Sequence, residues 1–231
     1  PHMRRLTAIL CLTLAVLLGS AGVSESADFQ KGWDAYVKKD YATALREWKP
    51  LAEQGHARAQ NKLGDMYRKG RGVSQNFKTA VKWYRLAAEQ GIARARYYLG
   101  AMYRKGLGVR KNYKTSVKWY RLAAKQGDAK AQDSLGRMYR KGLGVRKNYK
   151  TSAKWYRLAA KQGDAKAQDS LGRMYQKGRG VPQNFRIAIK WFRLAAEQGN
   201  AYAQYNLGAM YYKGWGVPQN NRIAVKWYRL A

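Results

Sequence analysis

A period of 36 residues runs through this chain, and it restricts the fold more than any local propensity. Gly55, Gly91, Gly127, Gly163 and Gly199 stand 36 apart, as do Leu63, Leu99, Leu135, Leu171 and Leu207, each followed by glycine, and Trp83, Trp119, Trp155, Trp191 and Trp227. Residues 103–138 and 139–174 differ only at Val117 against Ala153, the mark of a tandem duplication. Self-similarity at this spacing belongs to arrays in which one supersecondary unit stacks on its copies, because a single unit cannot bury its own apolar face.

Each unit reads as two helices. Asp128 is suited to cap a first helix that places Ala131, Leu135, Met138 and Tyr139 at helical spacing until Gly142. The loop Gly142-Leu143-Gly144-Val145 follows. Asn148 then caps a second helix whose Ser152, Trp155, Tyr156, Ala159 and Ala160 form an apolar stripe ending at Gly163. Small residues at Ala59, Gly64, Ala87 and Ala88 allow close helix approach, and Leu63, Tyr67, Trp83 and Tyr84 supply buried area. The predicted fold is all-α, a right-handed α-solenoid of antiparallel helix hairpins with first helices lining the inner surface. Repeats are expected at 57–92, 93–128, 129–164, 165–200 and, incomplete, 201–231. Residues 27–56 read as an N-terminal capping helix pair that turns near Lys39-Asp40 and covers the first repeat with Trp33, Tyr36, Tyr41, Ala44 and Trp48.

Ahead of the cap, Pro1 and His2 read as an expression scar. Met3, Arg4 and Arg5 precede the apolar run Leu6 to Leu18, and small residues follow from Gly19 to Ser24. That is the layout of a secretory signal over residues 3–26, too short in its apolar part to span a bilayer. Export to the periplasm, cell surface or medium is expected, with no transmembrane span in the mature chain. Cys11 is the chain's one cysteine and lies inside this segment, so the mature chain would carry none.

The pattern Ala57, Ala59, Leu63, Gly64, Tyr67, then Gly70, Gly72, Val73, then Ala80, Trp83, Tyr84, Ala87, Ala88, Gly91 resembles the Sel1-like repeat family, a relative of the tetratricopeptide repeat. The resemblance extends over residues 57–231 and implies a superhelical scaffold that binds other proteins. It also implies, for exported bacterial members, roles in host interaction, envelope processes or assembly of complexes. It brings no catalytic residues. Two departures stand out: the disulfide that braces each hairpin in some secreted relatives is absent, and lysine replaces the acids common beside the Trp-Tyr pair, at Lys82, Lys118, Lys154, Lys190 and Lys226.

The charge is therefore this chain's own feature. Lys and Arg number 46 against 13 Asp and Glu, a net +33. The counts are 8 against 2 for residues 57–92, 10 against 1 for 93–128, 10 against 2 for 129–164 and 7 against 2 for 165–200, so the excess belongs to the central repeats. A merely soluble surface mixes both signs, and this imbalance points to a polyanionic or acidic partner. The favoured partner is an acidic protein or peptide held on the inner face by Arg94, Tyr98, Arg104, Lys105, Lys130, Arg137, Lys141, Lys166, Arg173 and Lys177. The alternative is an anionic glycan, lipopolysaccharide or lipid headgroup engaged by the loop cations Arg110, Lys111, Lys114, Arg146, Lys147 and Lys150. Export argues against nucleic acid. Tyr97, Tyr98, Tyr202, Tyr205 and Tyr212 divide between core and groove, and the second-helix Arg85, Arg121, Arg157, Arg193 and Arg229 read as a solvated face.

Catalytic chemistry is not written here. His56 stands alone at a helix entry, no metal-ligand spacing, nucleophile elbow or phosphate loop occurs, and Asp133 and Asp169 are expected on exposed helix surface in separate repeats. A non-enzymatic protein without cofactor or metal is expected.

Overall fold

The computed structural model describes residues 29–231; the proposed scar, signal segment and Cys11 lie outside the described residues. The chain divides into two compact units between Ala95 and Arg96. All described regular structure is helical, as the period predicts. The first unit holds α1 (29–37), α2 (Tyr41–Glu53), α3 (Ala57–Lys69) and α4 (Phe77–Glu89). α5 (Ala93–Lys105) begins at its end and leads into the second unit. That unit continues with α6 (Tyr113–Lys125), α7 (Ala129–Lys141), α8 (Tyr149–Lys161), α9 (Ala165–Lys177), α10 (Phe185–Glu197), α11 (Ala201–Lys213) and α12 (Asn221–Leu230).

Local sequence explains the punctuation. In first helices the caps are His56, Asp128, Asp164 and Asn200, each accepting the backbone N–H three residues on. Second helices use asparagine throughout, at Asn76, Asn112, Asn148, Asn184 and Asn220. These contacts satisfy N–H groups that a helix start otherwise leaves open. His56, the one histidine among the described residues, thus has a structural role through Nδ1, 3.1 Å from the Ala59 nitrogen. In the cap pair, Lys39 takes a left-handed turn at φ 66° and Asp40 caps α2.

Consecutive helices pack within each unit: α2 on α3 and α3 on α4, then α6 through α12 each on the next. The stacked antiparallel hairpins make an α-solenoid. The core clusters straddle repeat boundaries: Val117, Tyr120, Ala123 and Ala124 of α6 pack with Ala131, Leu135 and Met138 of α7. Ala153, Tyr156, Ala159 and Ala160 of α8 do the same with Ala167, Leu171 and Met174 of α9. Loop residues Leu143 and Val145 close over the first of these clusters, which gives the loop's apolar positions their purpose.

Trp-Tyr pairs do not share one fate. Tyr84, Tyr120, Tyr156 and Phe192 are buried, whereas Trp83, Trp119, Trp155, Trp191 and Trp227 are only half-buried, with Trp155 and Trp191 lying along the clusters of the preceding boundary. In the cap, Ala44 and Trp48 are buried, Tyr36 and Tyr41 half-buried, while Trp33 is exposed beneath the Lys62 ammonium, 3.8 Å from its ring. The helix glycines mark the closest approaches. A Cβ on Gly136 would lie 2.8 Å from the Tyr156 ring, so the small residue lets α7 and α8 meet.

A buried amide lattice ties the stack together. Gln132 donates to the Ala124 carbonyl at 3.2 Å and accepts from Gln162 at 2.8 Å; Gln168 and Gln198 repeat the arrangement one hairpin on. Arg121, Arg157 and Arg193 donate to the hydroxyls of Tyr139, Tyr175 and Tyr211, each at 2.9 Å. These second-helix arginines, expected as a solvated face, bridge to the next hairpin.

Candidate partner-binding surface

Periodicity places equivalent residues of the first helices in rows. In the second unit one row runs Lys130, Lys166, Tyr202, another Tyr97, Asp133, Asp169, Tyr205, and a third Arg137, Arg173, Ala209. Between α5, α7 and the start of α9 these rows surround a hollow of about 450 Å3 lined by Tyr97, Arg104, Lys130, Asp133, Ser134, Arg137, Asp164, Ala165 and Lys166.

Four residues expected to bind a partner therefore come together: Arg104, Lys130, Arg137 and Lys166. Lys130 and Lys166 are exposed, and neither forms an ion pair with a carboxylate among the described residues. Arg104 is half-buried, its Nε 3.4 Å from the Tyr120 hydroxyl. Lys105, Lys141 and Lys177 are exposed in the last turns of their helices, where cations complement the free carbonyls. Tyr98 is half-buried and meets Tyr97 edge-on at 5.1 Å. Arg94 belongs to the first unit, with its Nε 3.8 Å from Asp65. Of the six cations expected in loops, Arg110, Lys111, Arg146 and Lys147 lie there, whereas Lys114 and Lys150 fall in the first turns of α6 and α8; all six are exposed, away from the hollow's lining. Lys111 and Lys147 stand over the rings of Tyr113 and Tyr149, each at 5.0 Å.

Asp133 and Asp169 require a correction. They are buried, at 5% and 3% exposure, and pair with Arg137 and Arg173 one turn later. Desolvation raises both carboxyl pKa values above the ordinary range, with the arginines opposing it. Burial is tolerated because the guanidinium at i+4 supplies a charge-assisted partner. The Asp-x-x-x-Arg spacing was the available signal, masked by reading a charged residue as outward-facing. Tyr97, in the same row, is pushed up to about 12 by burial.

The two carboxylates differ in one respect. Asp169 Oδ1 accepts from Asn206 Nδ2 at 3.0 Å, whereas Asp133 Oδ1 is buried without a hydrogen-bond partner. The residue one repeat before Asn206 is Ser170, whose side chain is shorter. Ser170→Asn is expected to supply the missing donor and raise stability by about 1 kcal/mol. Urea denaturation checks this, and an unchanged midpoint would show that the amide does not reach Asp133.

The arrangement offers one ion-paired arginine and two exposed lysines around a recess, suited to holding carboxylates, and no pairing of nucleophile and base. Among the described residues no cluster of histidine, cysteine or carboxylate could hold a metal ion, and no helix is long and apolar enough to cross a membrane.

The Sel1 repeat family profile matches residues 57–92, 93–128, 129–164, 165–200 and 201–231. Among solved structures, a Sel1 repeat protein from Oxalobacter formigenes is 39% identical over 88% of this chain and 81% of its own, with a TM-score of 0.83. A protective antigen present in uropathogenic Escherichia coli strains and displaying an SLR fold is 36% identical over 93% of this chain, with a TM-score of 0.85. This chain spans about half that antigen, 47% of its length. An immunity protein from Pseudomonas aeruginosa, 22% identical over 87% of this chain and 81% of its own, shares the fold with a TM-score of 0.55. No curated protein matches. Over more than half its length, in five successive hairpins, the chain belongs to the Sel1 repeat family.

Proposed function

We propose that this chain is an exported, non-enzymatic scaffold whose first-helix face in the second unit binds an acidic segment of another protein. The observation that carries the reading is the hollow among Arg104, Lys130, Arg137 and Lys166, whose four cations outnumber its carboxylates Asp133 and Asp164 and whose two lysines form no ion pair among the described residues. Exposed ammonium groups steer an anionic partner and then meet its carboxylates. Family membership supports a protein partner, and the secretory layout of the first residues supports export. The likeness to a protective antigen accords with an envelope or host-facing location.

The experiment titrates a labelled hexaglutamate peptide onto the chain at increasing salt. Measurable affinity that falls with salt is expected, with a loss of about tenfold, worth 1.4 kcal/mol, in the Lys130→Ala/Lys166→Ala double variant. Unchanged affinity in that variant would remove the hollow from the interaction. Heparin retention that survives in the variant and disappears when Arg110, Lys111, Arg146 and Lys147 become alanine, without peptide binding, would instead establish the loop surface as a polyanion site.

A further inference from the structure

Resting on the acidic-partner reading, we propose that the bound segment carries an aromatic or other large apolar side chain at one end of its acidic stretch, received by Tyr202 of α11. The row of Lys130 and Lys166 changes chemistry at its third member, Tyr202, while Asp133 and Asp169 give way to Tyr205 and Arg137 and Arg173 to Ala209. Within α11 the only basic residue is Lys213, in the last turn. A uniformly acidic segment running along these rows would leave its carboxylates without partners there.

Tyr202 is open, at 74% exposure. For Tyr202 this exposure belongs to the repeat position, since Lys130 and Lys166, its counterparts inside the array, are exposed too. Tyr205, one turn on, packs against Tyr228 with ring centroids 5.5 Å apart and the ring planes tilted by 50°. The Asn206–Asp169 hydrogen bond of 3.0 Å ties α11 to α9, so Tyr202 continues directly from Lys166. Packed helices lie roughly 10 Å apart, and passing from α7 to α11 takes two such steps, a reach of about six extended residues at ~3.3 Å each. Exposed tyrosine suits an anchor role because it offers a large amphipathic face at small cost in side-chain freedom.

The test compares three fluorescein-labelled peptides by anisotropy on the full chain: six glutamates alone, six glutamates followed by tryptophan, and six preceded by it. One of the tryptophan peptides is expected to bind about tenfold tighter than hexaglutamate. Tyr202→Ala should abolish that gain while leaving hexaglutamate affinity within twofold. Tyr202→Lys, which extends the cationic row, should abolish the gain and tighten hexaglutamate. Equal affinities for all three peptides, or a gain that survives both variants, would overturn the anchor. If none of the three binds, the acidic-partner reading itself falls, an outcome distinct from binding without a tryptophan preference.

Discussion

Gly144→Ala is expected to cost about 3–5 kcal/mol of stability, the largest effect of any single methyl group considered in the second unit. Gly144 has φ +69°, where an L side chain is strained, and a Cβ there would lie 2.4 Å from the backbone carbon and oxygen of Tyr113. That backbone is the first turn of α6, anchored by the Asn112 cap, and cannot move aside like the end of a flexible side chain. Gly127→Ala is the control. It also has positive φ, at +92°, but a Cβ there meets nothing within 4 Å, so only the conformational cost of about 1–2 kcal/mol applies. Urea denaturation followed by circular dichroism should separate the two variants by at least about 1 kcal/mol. Equal midpoints would show that the second loop glycine is needed for its backbone angle alone and not for contact between neighbouring hairpins.

That contrast shows why the fold was legible in the sequence and the surface less so. A loop glycine, a capping asparagine and an apolar stripe each constrain one hairpin, and their recurrence every 36 residues forces the same solution along the array. Which face of a helix meets the next repeat is set by packing between units, and a single helix's periodicity does not report it. Gln132 and Gln168, which lie outside the apolar stripe read from the sequence, are buried and hydrogen-bonded between hairpins, and Asp133 and Asp169 were misplaced for the same reason. The half-burial of Trp155 beside the fully buried Tyr156 reflects the same boundary geometry.

Positive charge accordingly falls into two kinds. Arg121, Arg157 and Arg193 are spent on tyrosine hydroxyls of the next hairpin, and Arg137 and Arg173 on buried carboxylates. Lys130 and Lys166 are exposed and form no ion pair among the described residues. Reversing Arg137 and Arg173 to glutamate, an obvious test of a basic groove, would set two carboxylates together in a buried site and confound lost binding with lost stability. Lysine truncation avoids that confusion.

The Asp133–Arg137 pair yields the second large effect. Arg137→Ala is expected to cost about 2–3 kcal/mol at pH 7, because Asp133 would keep a buried charge without its partner; the figure lies below that of a fully buried pair since the Arg137 side chain is 37% exposed. The sign with pH follows from burial, which already raises the Asp133 pKa above the ordinary 3.8 while Arg137 holds it down. Stability from a carboxyl raised in this way is fully present below the unfolded value and is lost as pH rises through the folded value. Removing the guanidinium raises the folded pKa further and widens that window upward. The penalty of Arg137→Ala should therefore shrink as pH falls from 7 toward 4, and Asp133→Asn in the same chain should relieve most of it at neutral pH. Denaturation midpoints across that range decide the matter: a penalty independent of pH and untouched by Asp133→Asn would mean that Arg137 stabilises the helix stack through packing of its stem, not by neutralising Asp133.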